Sequence, residues 1–218
     1  MERTFLESLR RVAGRLTRLS ETFFIEPPIF RGEHVRIEPL SDEHAEGLFD
    51  LGQDPAIFKW LPRGEFHSLS DAEEFIRNAL ILKSSGVEYP FAVSDVESGQ
   101  VAGTTRFLDI SDANRSIEIG WTWYGAAFQR TPVNTETKFL LMRYAFEELG
   151  AIRVQFKTDS RNLRSQTAIQ RLGAKLEGTL RNHRILPKDG YVRDSVYFSV
   201  LDSEWPLTKI RLTRLLNR

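Results

Sequence analysis

The chain has 218 residues, 41% of them apolar and 28% charged, enough to enclose one hydrophobic core with short appendages. Thirty basic side chains balance thirty acidic ones, which excludes a global field drawing the protein to nucleic acid or an anionic membrane. The absence of cysteine removes disulfides, a thiolate nucleophile and cysteine-ligated zinc together, and suits a reducing cytoplasmic location.

Residues 1–20 pattern as an amphipathic helix, with Phe5, Leu6, Leu9, Val12, Ala13, Leu16 and Leu19 on one stripe and Arg10, Arg11, Arg15 and Arg18 on the other. The stripe fits packing on its own domain or a partner subunit better than stable membrane contact. No apolar run approaches the roughly 20 residues that cross a bilayer, so a soluble protein is expected. Phe23 to Phe30, with Pro27-Pro28, reads as a linker. The expected division is therefore 1–26 for helix and linker, 27–206 for the main domain, and 207–218 for a basic C-terminal helix.

The domain begins at HVRIEPL, a short strand with Val35 and Ile37 on one side. Ser41 can cap a helix carrying Ala45, Leu48 and Phe49. Ser70-Asp71-Ala72-Glu73 has capping-box spacing and opens a helix that buries Phe75, Ile76, Ala79 and Leu80. PFAVSD, VAGTTRFLDI and SIEIGWTWY then read as three strands, antiparallel because their connections are too short for crossovers. Next come a helix over about 134–149, a strand at 151–158, a helix over about 162–172, and strands at 174–181 and 193–200. Gly150 and Gly173 follow the two helices, where a left-handed C-cap favours glycine. Glu204 to Arg218 reads as a short helix lying across the domain or another subunit. The fold class expected is α+β, a mixed and mostly antiparallel central sheet with helices on both faces.

The four histidines, His34, His44, His67 and His183, are scattered without metal-ligand spacing, so no metal is expected. Chemistry concentrates instead between Ile117 and Gly173. Alternation there places Glu118 and Gly120 on one face of the strand and Ile117, Ile119 and Trp121 on the other. Trp121, Trp123 and Tyr124 fit either an acceptor pocket or the core. Asn134 is a candidate N-cap for the following helix, and Arg130 and Lys138 are long enough to reach an anion beyond it. A capped helix with a solvated basic rim is the simpler reading of the same residues.

SIEIGWTWYG, AFQRTPVNTETKFLLMRYAFEELG, AIRVQFKTD and SRNLRSQTAIQRLG together resemble the acyl-CoA core of the GCN5-related N-acetyltransferases (GNAT). Asn162-Leu163-Arg164-Ser165, Leu172-Gly173, and Glu177, Gly178, Arg181, Asp194, Glu204 and Trp205 are similar to signatures of the RimJ/RimL-type branch. The resemblance spans roughly residues 30–206. It implies acetyl-CoA as co-substrate and an amine acceptor, either a protein N-terminus or a small molecule, attacked directly in a ternary complex. A non-catalytic CoA-binding or protein-interaction domain is the alternative on the same fold. The possible partners are thus the acceptor and a second copy joined through terminal helices, with no nucleic acid.

Residue by residue, the resemblance implies a cofactor site of Trp121, Thr122, Gln129, Arg130, Thr131, Val133, Asn134, Thr135, Lys138 and Asn162. The phosphate loop departs from the family pattern. Gln129-Arg130-Thr131-Pro132-Val133-Asn134 lacks both glycines, and Pro132 has no N–H to donate. Glu118 resembles the acid that receives the amine's proton, although a solvated carboxylate or a pair with Arg106 is equally compatible. Ser165 resembles a proton donor to the leaving thiolate, because the usual tyrosine position holds Ile169. Helix capping is the alternative for both Asn162 and Ser165. Arg181 and Asp194 are expected to pair between neighbouring strands.

Overall fold

The computed structural model describes residues 23–217; the amphipathic stripe of residues 1–20 lies outside them. Eight strands form one sheet in the order β1-β2-β3-β4-β5-β6-β8-β7. They are β1 Phe30–Arg31, β2 Val35–Pro39, β3 Glu88–Asp95, β4 Val101–Ser111, β5 Ser116–Tyr124, β6 Arg153–Asp159, β7 Lys175–Ile185 and β8 Val192–Leu201. All neighbours run antiparallel except β5 and β6. A parallel pair needs a crossover, and the helix between these two strands supplies it.

Among the described residues, six α-helices cover the sheet: α1 Ala45–Leu51, α2 Pro55–Phe58, α3 Leu69–Ser84, α4 Pro132–Arg143, α5 Leu163–Leu172 and α6 Trp205–Leu216. On one face, α4, α5 and α6 bury Leu141, Ile169, Leu172 and Leu212 against Phe91, Phe107, Ile117, Val154 and Phe198. On the other, α1, α2 and α3 bury Leu48, Phe58, Phe75 and Ile76 around Trp123. This second layer packs on β3, β4 and β5; among the described residues no helix packs over β6, β7 or β8 on that face to a comparable extent.

Several local expectations are corrected. Helix α3 starts two residues early, with Ser68 and Asp71 forming the capping box instead of Ser70 and Glu73. Helix α4 is capped by Thr131, and Asn134 lies inside its first turn. Pro132 is the first helical residue, a position whose N–H has no intrahelical partner, so proline costs no hydrogen bond there. The end of that helix widens into a π-turn over Tyr144–Glu148, closed by the Leu149 N–H on the Tyr144 carbonyl at 3.0 Å. Gly150 and Gly173 have φ of 65° and 107°, the left-handed caps their positions suggested.

The segment read as a linker is anchored. Phe23 and Phe30 are buried, and the Tyr144 hydroxyl donates to the Ile25 carbonyl at 2.8 Å. At the other terminus, α6 lies across its own domain, with Trp205 stacked on Phe146 at 5.2 Å and Leu212 fully buried. Asp194 takes the Asn182 backbone N–H at 2.7 Å; no ion pair with Arg181 occurs among the described residues. The reason is an irregularity in β7 between Leu180 and Arg184, which turns Asn182 to a φ of 50° and offsets Arg181 from its expected partner.

One interaction had no sequence signal. The Glu136 carboxylate on α4 accepts the backbone N–H groups of Glu33, His34 and Val35 at 2.9, 2.7 and 2.8 Å, fastening the β1–β2 turn to the helix. Charged acceptors of this kind are worth about 1.5–3 kcal/mol each. Glu136→Gln, which keeps the shape but loses the charge, is expected to lower the unfolding free energy by about 2–3 kcal/mol in urea titrations. A change below about 0.5 kcal/mol would show that water replaces the clamp.

Candidate functional site

The site originates where β5 and β6 part. Their parallel pairing covers only Ser116–Glu118 against Arg153–Gln155, yet β5 continues to Tyr124 and β6 to Asp159. Beyond Glu118, the β6-facing backbone groups of β5 therefore have no strand partner. A β-bulge aids the separation. Thr104 pairs with Trp123 and Arg106 with Gly120, so Thr105 faces both Trp121 and Thr122, and Trp121 takes a φ of 50°.

The bulge also overturns the expected alternation. Ile117 and Ile119 face α4, but Trp121 does not join them; it packs with Trp123 against Phe75 on the opposite face. One extra residue reverses every side chain after it. Trp123 contacts Phe58, Phe66 and Phe75 at ring distances of 5.3–6.2 Å, which makes it core.

Glu118 lies on the face opposite α4 and is 2% exposed. Its partner is not Arg106, which pairs with Glu88 at 2.6 Å. Instead Glu118 takes the Lys157 ammonium at 3.0 Å and the Gln155 amide at 3.3 Å, both from the parallel neighbour. Burial raises the Glu118 pKa above the usual carboxylate value, and Lys157 opposes that rise without cancelling it. The outcome is a desolvated carboxylate that is more basic than usual and held in place by one cation.

The two parallel strands end at the same edge, and both following helices open there. Thr131 accepts the Val133 N–H at 3.3 Å and donates to the Phe128 carbonyl at 2.7 Å. Arg130 is exposed and adopts a φ of 64°. Gln129 bridges the two openings: its amide donates to the Tyr124 carbonyl at 3.0 Å, and its oxygen receives Arg164 at 2.8 Å. Arg164, unnoticed in the sequence, thus stands with Arg130 beside the start of α4. Thr135 is buried and takes Arg171 at 2.8 Å, tying α4 to the far end of α5.

At α5 the capping group is the Asn162 side chain, which accepts the Ser165 N–H at 3.1 Å. Ser165 contributes only its backbone to that cap, and its half-buried hydroxyl makes no hydrogen bond among the described residues. Ile169 is buried in the core under α5.

Lys138 is corrected outright. It sits nearly two turns into α4 on the sheet-facing side, 5% exposed, so it is no part of a solvated rim. Its ammonium donates to Thr105 and Thr122 at 3.1 and 2.5 Å, bracing the bulge, and the two hydroxyls are 2.7 Å apart. Burial pushes its pKa down to about 7. Thr122, expected to touch a cofactor, is engaged in this same network.

The face that carries Glu118 continues past Lys157. His183 bonds Ser195 at 3.0 Å and approaches the Tyr197 hydroxyl at 3.4 Å. Asp159 is gripped by the Arg161 guanidinium at 3.0 Å twice, and Arg161 stacks on Tyr191 at 3.4 Å and Trp60 at 4.8 Å. Lys188 donates to the carbonyls of Phe58 and Lys59 at 2.7 and 2.9 Å. These contacts join the β7–β8 turn and the end of β6 to the segment after α2, beyond the surface of β6 and β8 that carries Lys157, Ser195 and Tyr197. None of these side chains was identifiable as a group, because they come from separate segments of the chain. Among the described residues, no three His, Asp or Glu side chains gather as metal ligands do.

Comparisons with known proteins agree with this fold. The model of the acetyltransferase (GNAT) domain family matches residues 34–175. The provisionally named ribosomal N-acetyltransferase YdaF of Bacillus subtilis (strain 168) is 29% identical over 182 residues, covering 79% of this chain and 94% of its own. A solved GCN5-related N-acetyltransferase from Brucella melitensis superposes with a TM-score of 0.82 at 36% identity, covering 88% of this chain and 86% of that one. A solved structure from T. thermophilus, provisionally named an acetyltransferase, gives 0.80 at 37% identity, with 88% and 99% covered.

Proposed function

We propose, on the premise that this chain belongs to the acetyltransferase (GNAT) family, that it transfers an acetyl group from acetyl-CoA to a primary amine within a ternary complex. The observation that carries this reading is the parting of β5 from β6 above a buried carboxylate, with α4 opening at the same edge. Acetyl-CoA supplies the acetyl group and a thiolate that leaves easily. Backbone N–H groups of β5 that lack a strand partner are the donors available to a thioester carbonyl. In the first α4 turn Pro132 has no N–H and Thr131 takes that of Val133, so a phosphate there meets the Asn134 N–H with Arg130 and Arg164 alongside. The glycines lost from this loop are thus offset by two exposed guanidinium groups.

Glu118, desolvated and near the parting, is the base for the attacking ammonium. Lys157 orients it. Ser165 is the proton donor to the thiolate, its hydroxyl being uncommitted among the described residues. The name of the Bacillus subtilis relative supports a protein N-terminus as acceptor, and a cytoplasmic location goes with that reading.

Calorimetry with acetyl-CoA, CoA and dephospho-CoA, followed by thiol release with a panel of amines, tests the proposal. Saturable binding plus amine-dependent thiol release is expected. Binding without release from any amine would favour a non-catalytic CoA-binding domain, and no binding at millimolar CoA would remove the cofactor. Ser165→Ala is expected to lower kcat by about 10²-fold. Because the Asn162 cap uses the Ser165 backbone, stability should change by less than about 0.5 kcal/mol. An unchanged kcat would make water the proton source.

A further inference from the structure

We infer that the acceptor amine carries a carboxylate, and that the Arg193 guanidinium on β8 receives it. The inference rests on reading the surface beside Glu118 as the acceptor side of an N-acetyltransferase.

Arg193 is 8% exposed and lies on the same face of the sheet as Ser195 and Tyr197. Among the described residues its guanidinium has no hydrogen-bond or ion-pair partner, and its Nε is wholly buried without one. A buried cation without a counter-ion is costly, which is why such groups are normally paired. The carboxylates within electrostatic reach, Asp159 and Glu118, are already engaged. Asp159 is held twice by Arg161, and Glu118 by Lys157 and Gln155. Asp109, further along, faces Lys157 at 3.7 Å.

Arg184, the direct cross-strand neighbour of Arg193, adds a second cation rather than a partner. The same surplus lowers the pKa of His183, where burial acts first and Arg184, Lys157 and Arg193 follow. Asp159 and Glu118 act on Arg193 through space, but no carboxylate among the described residues pairs with its guanidinium directly. A guanidinium fork matches a planar carboxylate in two parallel hydrogen bonds, and a recessed one selects for that shape. An amine delivered to Glu118 with a carboxylate trailing along β8 fits both ends of that surface. Such an acceptor is either a free amino acid or a peptide with an acidic residue near its N-terminus.

Isosteric acceptor pairs test the inference: an amino acid against its α-carboxamide (alanine against alaninamide), and amidated peptides beginning Ser-Glu against Ser-Gln, each at saturating acetyl-CoA. The wild-type protein is expected to favour the carboxylate member of one pair by about 10- to 100-fold in kcat/KM. Preference in the first pair identifies a small amino acid, and preference in the second identifies a protein N-terminus. Arg193→Gln should bring that ratio within about threefold while leaving the KM for acetyl-CoA within about twofold. Arg193→Lys, which keeps the charge but not the fork, should retain part of the preference. Equal rates within both pairs, or a preference that survives Arg193→Gln, overturns the inference and leaves acetyl transfer standing. If acetyl-CoA binds and no amine of any kind is acetylated, acetyl transfer itself falls and takes this inference with it. The wild-type comparison decides without any variant, should Arg193→Gln fold poorly.

Discussion

Glu118→Gln is expected to lower kcat by about 10²–10⁴-fold, with the KM for acetyl-CoA within about threefold of wild type. The carboxylate is 2% exposed, and burial makes it more basic than an ordinary glutamate. Glutamine keeps the volume and one acceptor oxygen for Lys157 but cannot take a proton. The acid limb of the wild-type kcat/KM profile should fall above the usual carboxylate range; in the variant, that limb should follow the acceptor amine alone. Lys157 keeps Asp109 at 3.7 Å after the change, so the fold should survive, which a melting curve checks. A variant with kcat within about threefold of wild type would reduce Glu118 to the counter-ion of Lys157.

Lys138→Met is expected to stabilise the protein by about 3–5 kcal/mol near pH 6 and by little near pH 10.5. The folded protein holds this lysine at about 7, against 10.5 in the unfolded chain. Between those values the unfolded state binds the extra proton, so stability from this group rises with pH; below about 7 the buried ammonium exerts its full penalty. Methionine fills the space without a charge, and Thr105 and Thr122 still bond each other at 2.7 Å. Urea unfolding of both proteins at several pH values measures the difference. An equal difference at about pH 6 and about pH 10 would mean that the ammonium is solvated in the native state. If the bulge needs this brace, the stabler variant should also turn over more slowly, a trade common at functional sites.

Much of the fold was legible because its signals are local. Val35 and Ile37, the Ile117–Ile119 alternation, and the glycines at 150 and 173 act through their own backbone and nearest neighbours. The ends of the helices before Gly150 and Gly173, and the succession of strands along the chain from 88 onward, followed from these. Helix starts were harder. Ser68 and Ser70, or Thr131 and Asn134, are chemically equivalent caps, and only packing of the following turn chooses between them. Nor does the cap decide the reach of Lys138, whose face of the helix packs on the sheet and brings it to Thr105 and Thr122.

By itself the sequence determined the crossover from β5 through α4 to β6, and hence the existence of one parallel pair in an antiparallel sheet. Short turns permit only hairpins, whereas a helix of this length carries the chain to the far end of its strand. It also determined the chemical types near the site: Glu118, Asn162, Ser165 and a loop without glycine. What it left open is which charges meet. Lys157 finds Glu118, Glu136 finds the β1–β2 turn, and Arg193 finds no partner among the described residues because strand register and helix packing set those distances. Those pairings join segments far apart in the chain, and no periodicity records them. Desolvation is likewise a property of everything packed around a group, so the raised Glu118 pKa and the lowered Lys138 pKa exist only once strands and helices have packed about them.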